Sequence, residues 1–60
     1  MILRRAADLT TDDNLRLEGG MLWNIADLSW NEGRVTLQLT RMVGDKMTLI
    51  LWPDDMVLLA

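Results

Sequence analysis

Four short apolar runs separated by turn signals occupy residues 21–60, and this cadence constrains the fold more than any other feature of the chain. The runs are Met21–Trp30, Arg34–Arg41, Lys46–Trp52 and Met56–Ala60. The breaks are Asn31-Glu32-Gly33, Val43-Gly44-Asp45 and Pro53-Asp54-Asp55. Short apolar runs bounded by Gly, Pro, Asn and Asp describe a small antiparallel β-domain.

Side-chain parity adds detail. Val35, Leu37 and Leu39 alternate with Thr36, Gln38 and Thr40, so this strand has one buried and one wet face. Met47, Leu49 and Leu51 alternate in the same way with Thr48, Ile50 and Trp52. Residues directly opposed on antiparallel strands share a face, so odd must meet odd and paired positions must sum to an even number. A two-residue Val43-Gly44 loop pairs Met42 with Asp45 and fails this test. A three- or five-residue connection passes it. In Met21–Trp30 the large residues change parity, from Trp23 and Ile25 to Leu28 and Trp30. A strand with one buried face can do this only with a bulge or bend, here near Ala26-Asp27. At Asn31-Glu32-Gly33 a type I turn with Gly33 left-handed pairs Trp30 with Arg34, whereas the parity of Leu28 asks for another register; both stand.

The remaining segments are shorter. Leu15-Arg16-Leu17-Glu18 alternates as a short strand, and Gly19-Gly20 allows a tight turn or bulge at positive φ. Pro53 cannot donate to a ladder and ends the fourth strand. Pro53-Asp54-Asp55 then predicts one turn of 3₁₀ helix before a last strand, Met56–Leu59. In residues 1–14, Ile2, Leu3, Ala6 and Leu9 have helical spacing, yet Met1–Arg4 also reads as an edge strand followed by a turn at Ala7-Asp8-Leu9. The polar run Thr10–Asn14 has no apolar stripe behind it, which favours strand and turn. The expectation is one all-β domain over 1–60: an N-terminal edge strand and turn (1–14) and a five-stranded antiparallel barrel (15–60).

Size limits what can hold such a domain together. A chain of 60 residues buries only about 60% of the surface it exposes when unfolded. It has no cysteine and no histidine, so neither a disulfide nor a histidine- or cysteine-bound zinc can reinforce it. An unusually apolar core or self-association remains, and half of the residues are hydrophobic. No apolar stretch has signal-peptide or membrane-span length, so the expectation is a cytoplasmic protein. The net charge of −3 argues against nucleic-acid binding, which needs clustered Lys and Arg to displace phosphate counterions.

A bent second strand and a one-turn helix before the last strand resemble a small SH3-like barrel. Leu51-Trp52-Pro53-Asp54-Asp55-Met56-Val57-Leu58 carries most of that likeness, since a proline-containing helical turn joins the fourth and fifth strands of such barrels. The opening Ala7-Asp8-Leu9, followed by Asp12-Asp13, is similar to short accessory proteins of actinobacteria and their phages. Those open with an Ala-x-Asp-Leu-like turn and then Gly-Asp before the first barrel strand. Here Asp12 stands where that glycine would be. The resemblance implies a non-enzymatic accessory protein working in a host cytoplasm, although this fold hosts many functions.

The residues point to binding rather than catalysis. Asp12-Asp13 and Asp54-Asp55 are neighbours whose side chains point apart in extended chain, and no calcium-loop spacing is present. Gly19-Gly20 lacks the Lys-Ser/Thr ending of a phosphate loop. No cofactor or metal is expected. With no Phe and no Tyr, all aromatic surface is concentrated in Trp23, Trp30 and Trp52. If Leu49 and Leu51 face the core, Ile50 and Trp52 face outward, and an outward Trp beside an outward Ile marks a contact surface. Trp23, Trp30, Ile50 and Trp52, with Arg34 and Arg41, form the candidate interaction surface. Two functions follow. One is an interaction module that binds a host or phage protein. The other is a homo-oligomer that binds a small anionic ligand, such as a nucleotide signal, at subunit interfaces. A nucleic-acid-binding barrel ranks below both. Self-association, most simply a dimer with Ile50 and Trp52 at or near the interface, would supply the buried area that the monomer lacks.

Overall fold

The computed structural model describes residues 2–60, the side chain of Glu18 excepted. Six strands form one antiparallel sheet: β1 (Ile2–Arg5), β2 (Asn14–Arg16), β3 (Leu22–Asn31), β4 (Arg34–Thr40), β5 (Lys46–Leu51) and β6 (Met56–Leu59). Their order across the sheet is β1-β6-β2-β3-β4-β5. Among the described residues no helix is long and apolar enough to cross a membrane.

The class is all-β as the pattern predicts, but the strand count is six rather than five. Residues 2–5 do more than flank a barrel: they pair along the whole of β6, from Ile2 opposite Leu59 to Arg5 opposite Met56. The 3₁₀ turn also lies elsewhere. It spans Ala6–Asp8, directly after β1, where the N–H of Leu9 donates to the Ala6 carbonyl. Pro53-Asp54 is instead an isolated β-turn, closed by the Asp55 N–H donating to the Trp52 carbonyl at 3.0 Å. The chain re-enters the sheet at Met56, one residue later, which leaves no room for a second helical bond.

A single sheet with no covering helix can bury side chains completely only by curling over its own inner face. Leu15, Val35, Leu37 and Leu39 are fully buried, and Ala6, Leu9, Ile25, Val57 and Leu59 complete the core. These residues come from β2, β3, β4, β6 and the segment after β1. The N–H of Ala6, donating to the Asp55 carbonyl, extends the β1–β6 ladder by one step, and that of Ala7, donating to the Pro53 carbonyl, joins the segment after β1 to the turn that follows β5.

The curl originates in β3. Ile25 pairs with Leu39 and Asp27 with Gln38, leaving Ala26 as an extra residue. This bulge lies where the parity change predicts it. It keeps Ile25 and Leu28 on the same face although their numbers differ in parity, and it adds local twist.

The turns set the registers. Glu32 (φ 53°) and Gly33 (φ 77°) form a two-residue, type I′ connection that pairs Asn31 with Arg34. This settles the open register in favour of Leu28, which faces Leu37. Between β4 and β5 the five residues Arg41–Asp45 connect Thr40 with Lys46, and every β4–β5 pair sums to an even number. Within that connection the Arg41 N–H donates to the Asp45 carbonyl and the Gly44 N–H to Arg41, with Gly44 left-handed at φ 93°. This is the three-residue hairpin with a glycine bulge.

Candidate interaction surface

Even-numbered residues of β4 and β5 point away from the core. Thr36 opposes Ile50 and Gln38 opposes Thr48, whose hydroxyl donates to the Gln38 side-chain oxygen at 2.9 Å. Towards the Pro53 turn this outer face becomes apolar. Ile50 is 56% exposed and Trp52 57% exposed. One register step beyond the Val35–Leu51 pair, the Arg34 guanidinium lies over the Trp52 ring, 4.2 Å from its centroid. At an exposed site such a cation–π contact contributes about 0.5–1 kcal/mol.

The backbone of Trp52 is held on both sides. Its N–H donates to Asp55 Oδ2 at 2.8 Å, and its carbonyl accepts from the Asp55 N–H at 3.0 Å. Asp54 meets Arg5 at 3.5 Å, so both carboxylates of this pair serve the turn. In the Asp12-Asp13 pair one carboxylate, that of Asp13, ties the turn, and Asp12 contributes its N–H to the Thr10 hydroxyl. Asp13 accepts from Arg4 at 2.8 Å and from the Thr10 N–H at 2.9 Å. Among the described residues no three His, Cys, Asp or Glu side chains gather where they could hold a metal.

The remaining predicted site residues lie elsewhere. Trp30 faces the inner side of the sheet, opposite Val35, and is 54% exposed because it sits at the β3–β4 hairpin end, beyond the fully buried core. It therefore does not share the outer face with Ile50 and Trp52. Trp23 pairs with Leu15 near the start of β3 and packs half-buried against the core. Arg41 lies 5.3 Å from the Trp23 centroid, meets Asp45 at 3.1 Å and donates to Met21 Sδ at 3.3 Å. The six residues thus divide into an outer cluster (Arg34, Ile50, Trp52), an opposite-end cluster (Trp23, Arg41) and the isolated Trp30.

The structure also shows an apolar region absent from the predicted site. Met42 is 99% exposed and Val43 72% exposed at the tip of the β4–β5 turn. With Met21, Leu22, Asn14, Asn24 and Arg41 they line a groove of about 310 Å³. The available signal was two large apolar residues at a turn tip, where polar residues are the rule.

No family profile matches the chain, and neither a curated protein nor a solved structure shows significant similarity to it.

Proposed function

We propose that this chain is a non-enzymatic interaction module, an accessory protein of the kind found in actinobacteria and their phages, which binds a host or phage protein through Ile50 and Trp52. The supporting observation is the placement of a large aromatic and a branched aliphatic side chain, each more than half exposed, on a β-sheet face anchored by the Trp52–Asp55 bonds. Trp and Arg carry much of the energy at protein interfaces, and a residue whose backbone is already held loses less conformational freedom on binding. The bulged β3 supports the SH3-like reading of the barrel, whereas the turn before the last strand is a β-turn and not the helical one of such barrels; the proposed setting is the host cytoplasm.

A second reading draws on the same geometry. Arg34 with Trp52 and Arg41 with Trp23 each combine a cation with a stacking surface, the elements that hold a nucleotide-like anion. The net charge of −3 weighs against longer nucleic acids.

Parallel capture with immobilised wild-type and Trp52→Ala protein tests the module. A partner retained by the wild type and lost with the variant supports it. Equal retention of every protein by both counts against it, and a melting temperature raised by nucleotides in place of a protein partner favours the second reading.

A further inference from the structure

β5 is one free edge of the sheet, and its backbone hydrogen-bonding groups can be assigned. In antiparallel pairing, hydrogen-bonded and non-hydrogen-bonded pairs alternate. Arg41 and Asp45 form a bonded pair, so Leu39–Met47, Leu37–Leu49 and Val35–Leu51 are bonded pairs too. The N–H and C=O groups of Met47, Leu49 and Leu51 therefore point towards β4. Those of Lys46, Thr48, Ile50 and Trp52 point outward. Trp52 is already satisfied by Asp55 on both its N–H and its carbonyl. Lys46, Thr48 and Ile50 have no bonds on the outer side among the described residues.

We propose that a second copy of this chain pairs along β5, antiparallel and centred on Thr48. Lys46, Thr48 and Ile50 of one copy then bond, in order, Ile50, Thr48 and Lys46 of the other. The free residues are symmetric about Thr48, so this register pairs each of them and leaves none over. Centring on Leu49 instead would set Lys46 against Trp52, whose backbone groups are taken. The ladder ends where Asp55 caps Trp52 on one side and the Asp45 turn begins on the other. On the inner face, half-buried Met47 of each copy falls opposite half-buried Leu49 of the other. On the outer face, Lys46, which has no ion pair among the described residues, comes next to Ile50 at the end of β5 that carries Asp54 and Asp55.

The other edge is protected against such pairing. Two of the four residues of β1 are arginines, and charged side chains are a common device for blunting an edge. β5 has no proline or bulge, and its one charge sits at its first residue. The pairing is independent of the function proposed above, because it uses the strand edge and leaves the outer faces of both copies open.

Sedimentation equilibrium in the micromolar range tests it. A concentration-dependent dimer is expected, and a monomer throughout overturns the proposal. Thr48→Pro removes an outward N–H and places a ring in the ladder, so association should fall about tenfold or more, as loss of even one such bond permits. A folded Thr48→Pro protein that associates like the wild type overturns the proposal. Thr48→Cys provides a second readout in this cysteine-free chain, since an on-axis bonded pair has its Cα atoms about 5.5 Å apart, within disulfide range. Oxidation should cross-link Thr48→Cys rapidly and Thr36→Cys, one strand further in, slowly; equal rates overturn it. Trp52→Ala should dimerise normally even if it loses every protein partner, and a monomeric Trp52→Ala places the contact on the outer face instead of the edge.

Discussion

Asp55 closes the Trp52 turn from both directions: its carboxylate accepts from the Trp52 N–H at 2.8 Å, and its own N–H donates to the Trp52 carbonyl at 3.0 Å. The same contact removes Trp52 from the open edge of β5. Asp55→Ala deletes the carboxylate and leaves the Trp52 N–H free. A charge-assisted bond of this kind contributes about 1.5–3 kcal/mol where it is protected from water, and less at this exposed turn. Urea unfolding should show a loss of about 1 kcal/mol, with Asp55→Asn losing less because it keeps an acceptor.

Core truncations should rank by burial. Leu37 is fully buried, so Leu37→Ala should cost about 2–5 kcal/mol. Leu49 sits opposite it on β5 but is only half-buried at the edge, so Leu49→Ala should cost about 1–2.5 kcal/mol. Small domains of this kind rarely exceed about 5 kcal/mol in total, so Leu37→Ala brings the protein close to unfolding. Denaturant midpoints measured side by side would check the order, and equal losses would show that the edge is more enclosed than its exposure indicates.

The type I′ turn holds Glu32 at φ 53°, a conformation that Glu adopts at a cost. Glu32→Asn supplies a residue suited to that region and should stabilise by about 0.5–1 kcal/mol. For a domain of this size 1 kcal/mol corresponds to about 4–8 °C, so thermal melts should resolve the gain. Gly33→Ala meets no neighbouring atom, yet at φ 77° it should destabilise by about 1–2 kcal/mol from backbone strain alone.

Arg34 and Trp52 form a contact exposed on both sides. Arg34→Ala should therefore change stability by less than about 1 kcal/mol. Tryptophan fluorescence should still respond, because the guanidinium no longer lies over the Trp52 ring. Double substitution at positions 34 and 52 would give the coupling directly, and additive effects would show that the stack contributes nothing in solution.

Features governed by the two-residue period of strands were legible in the sequence. The parity break between Ile25 and Leu28 located the bulge to within a residue of Ala26, and the odd set of β4 and β5 excluded a two-residue loop, left three or five residues, and gave the outward placement of Ile50 and Trp52. What period alone cannot supply was not legible. Asn31-Glu32-Gly33 suits more than one turn type, and only the partner of Leu28 decides between them. The helical turn moved from Pro53–Asp55 to Ala6–Asp8 because both segments carry turn residues, and it is how soon the chain re-enters the sheet that separates them. The site shows the same division. Alternation correctly gives the face on which Trp30 lies, but its exposure depends on its distance from the core along the barrel. The exposed apolar tip at Met42 and Val43 was not legible, because Gly44 marks the turn without showing which side chains it lifts into solvent.

The extra residue at Ala26 has a consequence for how this chain can change over generations. Two residues of β3, Ile25 and Ala26, stand against the single residue Leu39. Losing Ala26 would leave Ile25 facing Leu39 and every other side chain on its present face; what would disappear is the bend. A one-residue loss away from the bulge, outside Ile25–Asp27, would turn part of the strand inside out, exchanging core for surface. Length along this strand is therefore far less free to vary than identity. A library of single-residue deletions should show Ala26 and Asp27 as tolerant positions for side-chain placement, while lost curvature appears as a flatter, stickier sheet.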